Sequence, residues 1–312
     1  MSRTRYIAYR LTWTVTGVWA VLTGLFLSFA LTPDPNQFQL GMDRGAYRAL
    51  RNYDQPLHER YFTWMESFLT LDLGNTLYGE PILGLLADAS TVTLTYLVPS
   101  IAIAVVFGVL LGVFAAKYRD SVALRALRGL SYVGFAIPTI VAADVLFIFV
   151  VDYLEWYNFS YETELALFTG RNLGAITLPA LVLAVNMVAI QLRYARSESV
   201  EILREDFIRT LRANGAGTRS IVTHVVRNAA SSLLSLFFSE MVGVMFVVVV
   251  VIEVIFGIPG FGSLLYDAIR SRDIGLILAT TIFPICFVML GNLAQDIAYT
   301  ILDPRIEGGE SG

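Results

Sequence analysis

The sequence predicts an all-α membrane protein with six transmembrane helices, a long outer loop between helices 1 and 2, and a cytoplasmic helix between helices 4 and 5. Composition is the first observation behind this class. Of 312 residues, 56% are hydrophobic and only 15% are charged, a balance outside the range of soluble globular domains. The second observation is six apolar runs, each with the roughly 20 residues that a helix needs to cross a bilayer. Runs this continuous are too long for barrel strands.

The six predicted helices belong to a single transmembrane domain, 1–312. They lie at about 9–31, 91–117, 129–152, 173–194, 229–255 and 274–301. The first run is too long for the apolar part of a removable signal peptide, so we expect it to remain as a crossing. Prolines are expected to bend the third, fourth and sixth helices, at Pro138, Pro179 and Pro284.

Two loops are long enough to carry structure of their own. The outer loop is predicted at 32–88 and the cytoplasmic loop at 197–228. Within the outer loop, apolar residues at helical spacing predict a short amphipathic helix: Tyr61, Met65, Phe68 and Leu69.

Basic residues indicate which side of the membrane each loop faces. Six crossings place both ends of the chain on one side, and 15 of the 22 Lys and Arg residues fall on that side against 7 on the other. Cytoplasmic loops carry the excess of Lys and Arg. We therefore predict a multi-pass protein of the cell membrane with both termini cytoplasmic.

Composition and motifs argue against several function classes. The formal net charge is −4, so no basic surplus exists to bind a nucleic-acid backbone. His58, His224 and Cys286 are the only histidines and cysteine, too few for a typical zinc site or a disulfide. The sequence lacks the GxxxxGK[ST] loop that binds nucleotide phosphates. We expect a non-catalytic chain that binds no cofactor and no nucleic acid.

The loop at 197–228 is polar but periodic. Four apolar residues recur at helical spacing among Glu and Arg residues: Val200, Leu203, Phe207 and Leu211. The residues at 214–217 are of the kind that end helices, and Thr218 is expected to cap a second helix. Such a helix–break–helix segment could dock into a groove of another protein or lie on the lipid headgroups. Periodicity alone leaves both open.

The same loop resembles a known family. The segments 206–215 (DFIRTLRANG) and 224–229 (HVVRNA) resemble the EAA loop of permease subunits of dipeptide/oligopeptide-type ABC importers. Three further segments resemble motifs of that family, namely LDLGNT at 71–76, FGIPGFG at 256–262 and NLAQDIAY at 292–299. The resemblance covers nearly the whole chain.

This resemblance implies the permease subunit of an ATP-driven importer, with ATP and Mg used by partner subunits. The implied partners are a second homologous permease in a heterodimer, two ABC ATPase subunits and an extracytoplasmic solute-binding protein, all at the lipid bilayer. The implied solute is a di- or oligopeptide. The residues themselves do not identify the solute, nor do they distinguish a heterodimer of permeases from a homodimer. The implied coupling helix contacts the ATPase through eight residues: Phe207, Arg209, Thr210, Leu211, Arg212, Ala213, Asn214 and Gly215.

Two acids lie inside predicted crossings, Asp144 in helix 3 and Glu240 in helix 5. An acid at the bilayer centre costs roughly 2.5–3.5 kcal/mol on insertion scales. Each acid therefore either lines the translocation path or is satisfied by neighbouring hydroxyl groups. The alternative function is a stand-alone secondary carrier or channel, in which inverted repeats are expected. We find no convincing internal repeat.

Overall fold

The protein is mostly helical over the residues that the computed structural model describes, which are 3–32, 45, 48–49, 52–118, 121–154 and 160–302. The first six helices are α1 (Arg3–Ala30), α2 (Leu57–Thr70), α3 (Ile82–Ile103), α4 (Val109–Lys117), α5 (Val122–Ala136) and α6 (Thr139–Phe147). The next seven are α7 (Gly170–Ile202), α8 (Asp206–Ala213), α9 (Thr218–Gly243), α10 (Val249–Phe256), α11 (Phe261–Ser271), α12 (Ile274–Thr280) and α13 (Ile282–Leu302).

Three π-helical turns connect or extend these helices. Ala104–Gly108 joins α3 to α4, Val244–Val248 joins α9 to α10, and Ile148–Tyr153 continues α6. Because the helix continues through the first of these turns, Ile82–Lys117 forms one span. The span Ser232–Phe256 likewise includes the turn between α9 and α10.

The described part of the chain holds five helices that are long and apolar enough to cross a membrane, and six if the bent pair α5–α6 is one span. This confirms the predicted all-α membrane fold. The amphipathic helix expected in the outer loop is α2. Of that predicted loop, 33–44, 46–47 and 50–51 lie outside the described residues.

The three prolines that were expected to bend helices differ in their effects. In place of the single helix predicted at 129–152, the chain forms two helices, α5 and α6, with an angle of 96° between them. The break falls at Ile137, which is extended at φ −85° and ψ 119° because the following ring of Pro138 disfavours the helical conformation. Pro179 lies inside the uninterrupted α7. Pro284 lies in the first turn of α13, just after the break that separates α13 from α12.

Helix α7 is the centre of the bundle and packs against α3, α4, α5 and α9. The contact with α4 is close because Gly112 has no side chain. A Cβ atom on Gly112 would lie 2.7 Å from the carbonyl oxygen of Leu192 and 2.6 Å from the Cβ of Ala195. Small residues that let helix backbones approach in this way are typical of membrane bundles.

Candidate functional site

The loop between α7 and α9 folds into a compact knob, defined here as residues 203–217. Helix α7 ends at Ile202, a short turn follows, and α8 occupies most of the knob. The prediction that the four apolar residues share one helix is therefore wrong, because Val200 lies on α7 whereas Phe207 and Leu211 lie on α8. All four nevertheless pack in the same apolar cluster. The turn at 203–205 ends the first helix earlier than the periodicity predicted.

Apolar residues shared by four helices hold the knob against the bundle. Ile208 of α8 has no exposed surface, and Phe207 and Leu211 pack against the same cluster. The other buried members come from α4, α7, the adjoining turn and α9: Val113, Ala116, Ala195, Ile202, Leu203, Ile221, Val225, Ala229 and Leu233. Sequence reasoning missed Ile208, because the phase of the stripe was set from Val200 and Leu203, which precede α8.

The helix break expected at 214–217 is present and has the geometry of a Schellman motif. Gly215 has φ +80°, a left-handed conformation that glycine adopts without steric cost. The N–H of Gly215 donates to the carbonyl of Arg212 at 3.0 Å, and that of Ala216 donates to the carbonyl of Leu211 at 3.0 Å. These two bonds satisfy carbonyl groups that the helix end would otherwise leave open.

The remaining predicted coupling residues face away from the bundle. Six of the eight are exposed: Arg209, Thr210, Arg212, Ala213, Asn214 and Gly215. Arg209 pairs with Asp206 of the same helix at 3.1 Å, a contact that leaves the pair at the surface. The knob thus presents a polar outer face on an apolar base. The predicted cap at Thr218 is wrong, because Gly217 occupies the N-cap position of α9 without a side-chain bond.

The two intramembrane acids have different surroundings. Asp144 lies on α6 and is exposed, whereas Glu240 lies on α9 and is partly buried. Arg193 of α7 lies close enough to Glu240 to interact with its charge. Among the described residues, no hydrogen bond or ion pair joins Asp144 to Glu240.

A third acid, Glu253 of α10, is fully buried near the opposite end of the bundle from the knob. Its carboxylate accepts hydrogen bonds from the hydroxyl of Thr93 at 2.6 Å, from the hydroxyl of Tyr96 at 2.7 Å and from the backbone N–H of Ser263 at 3.0 Å. The Thr93 hydroxyl also accepts from the N–H of Phe261 at 2.8 Å. One carboxylate therefore joins α3, α10 and the start of α11.

Two glycines in the segment 256–262 allow this arrangement. Gly260 lies directly against the Glu253 carboxylate, so a Cβ atom there would overlap it. Gly257 ends α10 with φ +63°, which lets the chain turn back towards Glu253. Sequence reasoning singled out this segment only as a family motif and did not single out Glu253, which immediately follows the apolar run ending at Ile252.

Asp273 makes a second connection at the same end. Its Oδ2 accepts from the N–H of Leu77 at 2.7 Å, and its Oδ1 caps α12 by accepting from the N–H of Leu276 at 3.3 Å. The turn at 74–82, closed by a bond from the N–H of Ile82 to the carbonyl of Gly74, is thereby fixed to α12. The motif at 71–76 is thus part of a structural junction.

Comparison with known proteins gives a consistent assignment. A family model described as "Binding-protein-dependent transport system inner membrane component" matches residues 108–308. The dipeptide transport system permease protein of Bacillus subtilis is 30% identical over 99% of both chains. A Brucella ovis protein with a peptide-permease name is 31% identical over 97% of this chain and 99% of its own. A Brucella abortus protein named for a peptide transport system permease is 33% identical over 81% of each chain.

The bonds around Glu253 predict an order of stabilities for three variants. Thr93→Val removes a donor to Glu253 and leaves the buried N–H of Phe261 without its acceptor, so we expect a loss of about 3 kcal/mol in the free energy of unfolding. Tyr96→Phe removes one donor and strands no other group, so about 1.5 kcal/mol is expected. Thermal denaturation of the purified protein in detergent measures both.

The matched control is Thr91→Val, because the Thr91 hydroxyl bonds, among the described residues, only to the carbonyl of Ala87 on an exposed face of α3. We expect that variant to unfold like the wild type. Equal midpoints for Thr93→Val and Thr91→Val would show that the Glu253 bonds add nothing to stability.

Proposed function

The chain belongs to the family of binding-protein-dependent transport system inner membrane components, and from this membership we propose that it is the permease subunit of an ATP-driven importer of di- or oligopeptides. Its family resemblance, first carried by sequence motifs, is confirmed by the match over 108–308. One observation carries the proposed solute: relatives that match nearly the whole chain have peptide and dipeptide transport names.

We infer the partners from the family and from what the chain lacks. Its sequence has no phosphate-binding loop, so ATP and Mg are used by two separate ABC ATPase subunits. A binding protein delivers the solute on the side of the membrane opposite the ATPase subunits. A second, homologous permease completes the path in a heterodimer, because one six-span bundle offers a single wall of it.

The knob is the proposed contact with the ATPase. Its exposed face carries Arg209, Thr210 and Arg212, which can pair with polar groups of a partner. Its buried base packs against α4, α7 and α9, so a displacement of α8 acts on three membrane helices together. This combination favours docking to a protein over lying on the lipid headgroups.

We propose that Asp144 and Glu240 line the path. The exposed position of Asp144 on an apolar helix is costly unless the carboxylate faces water or a partner chain. Glu240 lies close enough to Arg193 to interact with its charge, and ionisable residues inside a membrane typically face a bundle interior or an aqueous cavity.

The function is tested with the assembled complex in proteoliposomes. We expect ATP hydrolysis and uptake to rise when a dipeptide is added together with the binding protein, and to remain basal when either is left out. A complex whose ATPase responds to no peptide but to another solute would contradict the proposed substrate class.

The orientation is tested by labelling single cysteines in a Cys286→Ser background. Tyr78 lies in the turn tied to α12 and is 77% exposed, and Thr218 is exposed at the knob. With both termini cytoplasmic, Tyr78→Cys in intact cells reacts with an impermeant maleimide and Thr218→Cys does not. The reverse pattern would overturn the orientation.

The coupling role predicts that two knob variants lose peptide uptake but still insert into the membrane. Gly215→Val places a β-branched residue at φ +80°, at a cost of about 1–2 kcal/mol confined to the turn. Leu211→Glu places a charge at the base of the knob. We expect membrane insertion to persist, peptide uptake to fall and the ATPase to stop responding to peptide.

Gly217→Val is the matched control for Gly215→Val. Gly217 has an ordinary φ of −72°, and a Cβ atom added to it would meet no neighbouring group within 4 Å. Normal ATPase association and uptake in both Gly215→Val and Leu211→Glu would remove the coupling role from the knob.

A further inference from the structure

A concave pocket of about 260 Å³ lies at the end of the bundle opposite the knob. Its walls come from the end of α1, residues 52–53, one face of α2, the turn at 72–74, α12 and the first residue of α13. Neither Asp144 nor Glu240 lines it, so the pocket is separate from the proposed translocation path.

The walls of this pocket are held in place by contacts that do not involve a ligand. The hydroxyls of Thr23 on α1 and Tyr61 on α2 lie 2.8 Å apart in a hydrogen bond. The rings of Phe26 and Trp64 have centroids 5.3 Å apart, which packs the same two helices together. The bond between Leu77 and Asp273 fixes the opposite wall. The pocket is therefore preformed.

Two opposite charges line the pocket without neutralising each other. The guanidinium of Arg60 lies over the ring of Tyr53 at 4.7 Å. Among the described residues, the Arg60 guanidinium makes no ion pair. In the same part of the chain, the Asp72 carboxylate makes neither an ion pair nor a hydrogen bond. Trp64 and Phe68 form the aromatic wall between the polar positions.

We propose that this pocket binds a small zwitterionic group. An anionic end, carboxylate or phosphate, pairs with Arg60, whose planar fork suits both. An ammonium end pairs with Asp72 and lies against the aromatic wall, where ring faces attract cations. The same chemistry has two sources: a free dipeptide, which rests on the proposed function, or the ethanolamine headgroup of a phospholipid, which does not.

Trp64 provides a direct reporter once Trp13, Trp19 and Trp156 are replaced by Phe. The purified full-length chain in a maltoside detergent, without its partner subunits, is titrated with alanyl-alanine, with glycerophosphoethanolamine and with N-acetyl-alanyl-alanine, which has no ammonium group. We expect a saturable change in Trp64 emission with at least one zwitterion. A response to the dipeptide alone assigns the free peptide as the source, and a response to the phosphodiester alone assigns the headgroup.

Two variants and two matched controls assign the charges. Arg60→Gln and Asp72→Asn should each weaken binding of the responding zwitterion by about tenfold, as expected for one lost charge-assisted bond. Arg270→Gln and Asp267→Asn should bind like the wild type, because both residues are exposed on α11, outside the pocket. If the dipeptide binds, the wild type should bind the acetylated peptide about tenfold more weakly than the free dipeptide. Asp72→Asn should bind the two peptides with equal affinity.

The proposal is overturned if neither zwitterion saturates, or if the pocket variants bind like their controls. The result is independent of transport. A complex that binds a zwitterion at Trp64 but whose ATPase ignores peptides would contradict the proposed function and leave the pocket standing. The converse result would remove the pocket alone.

Discussion

The end of the bundle opposite the knob depends on one buried carboxylate, that of Glu253. A carboxylate with no exposed surface is costly inside a protein unless donors surround it, and here two side-chain hydroxyls and a backbone N–H do so. Because those donors come from α3 and α11 while the acid belongs to α10, the bonds that satisfy the charge also fix three segments relative to one another. Gly260 permits this contact by leaving room for the carboxylate.

One continuous stretch, made of α9, a π-helical turn and α10, connects the knob to the end of the molecule that holds Glu253. It begins at Thr218 beside the knob, passes through the π-helical turn at Val244–Val248, and ends at Phe256 beside Glu253. At 1.5 Å per residue this is a rod of about 57 Å. Its end near the knob packs into the cluster that holds Ile208. If the knob couples to an ATPase, as proposed, this helix is the physical route from the knob to the segment 256–262.

The sequence predicted those features that depend on local composition. Six apolar runs predicted six spans, and the described residues hold five such helices, or six if the bent pair α5–α6 is one span. The left-handed turn at Gly215 followed from glycine at the end of an amphipathic helix. Features set by distant partners were missed. Glu253 meets Thr93 from 160 positions away, and no local pattern reports that pairing. The buried position of Ile208 was also missed, because it depends on a turn at 203–205 that periodicity does not reveal.

Hydrogen–deuterium exchange at Phe261 and Ser263 tests most directly whether the Glu253 carboxylate holds α3, α10 and α11 together. Their N–H groups donate to Thr93 and to Glu253 respectively. We expect both to exchange slowly in the wild type, and we expect Glu253→Ala to speed exchange at both while the amides of α8 keep their wild-type rates. Unchanged exchange at Phe261 and Ser263 in that variant would show that the carboxylate does not hold these segments together.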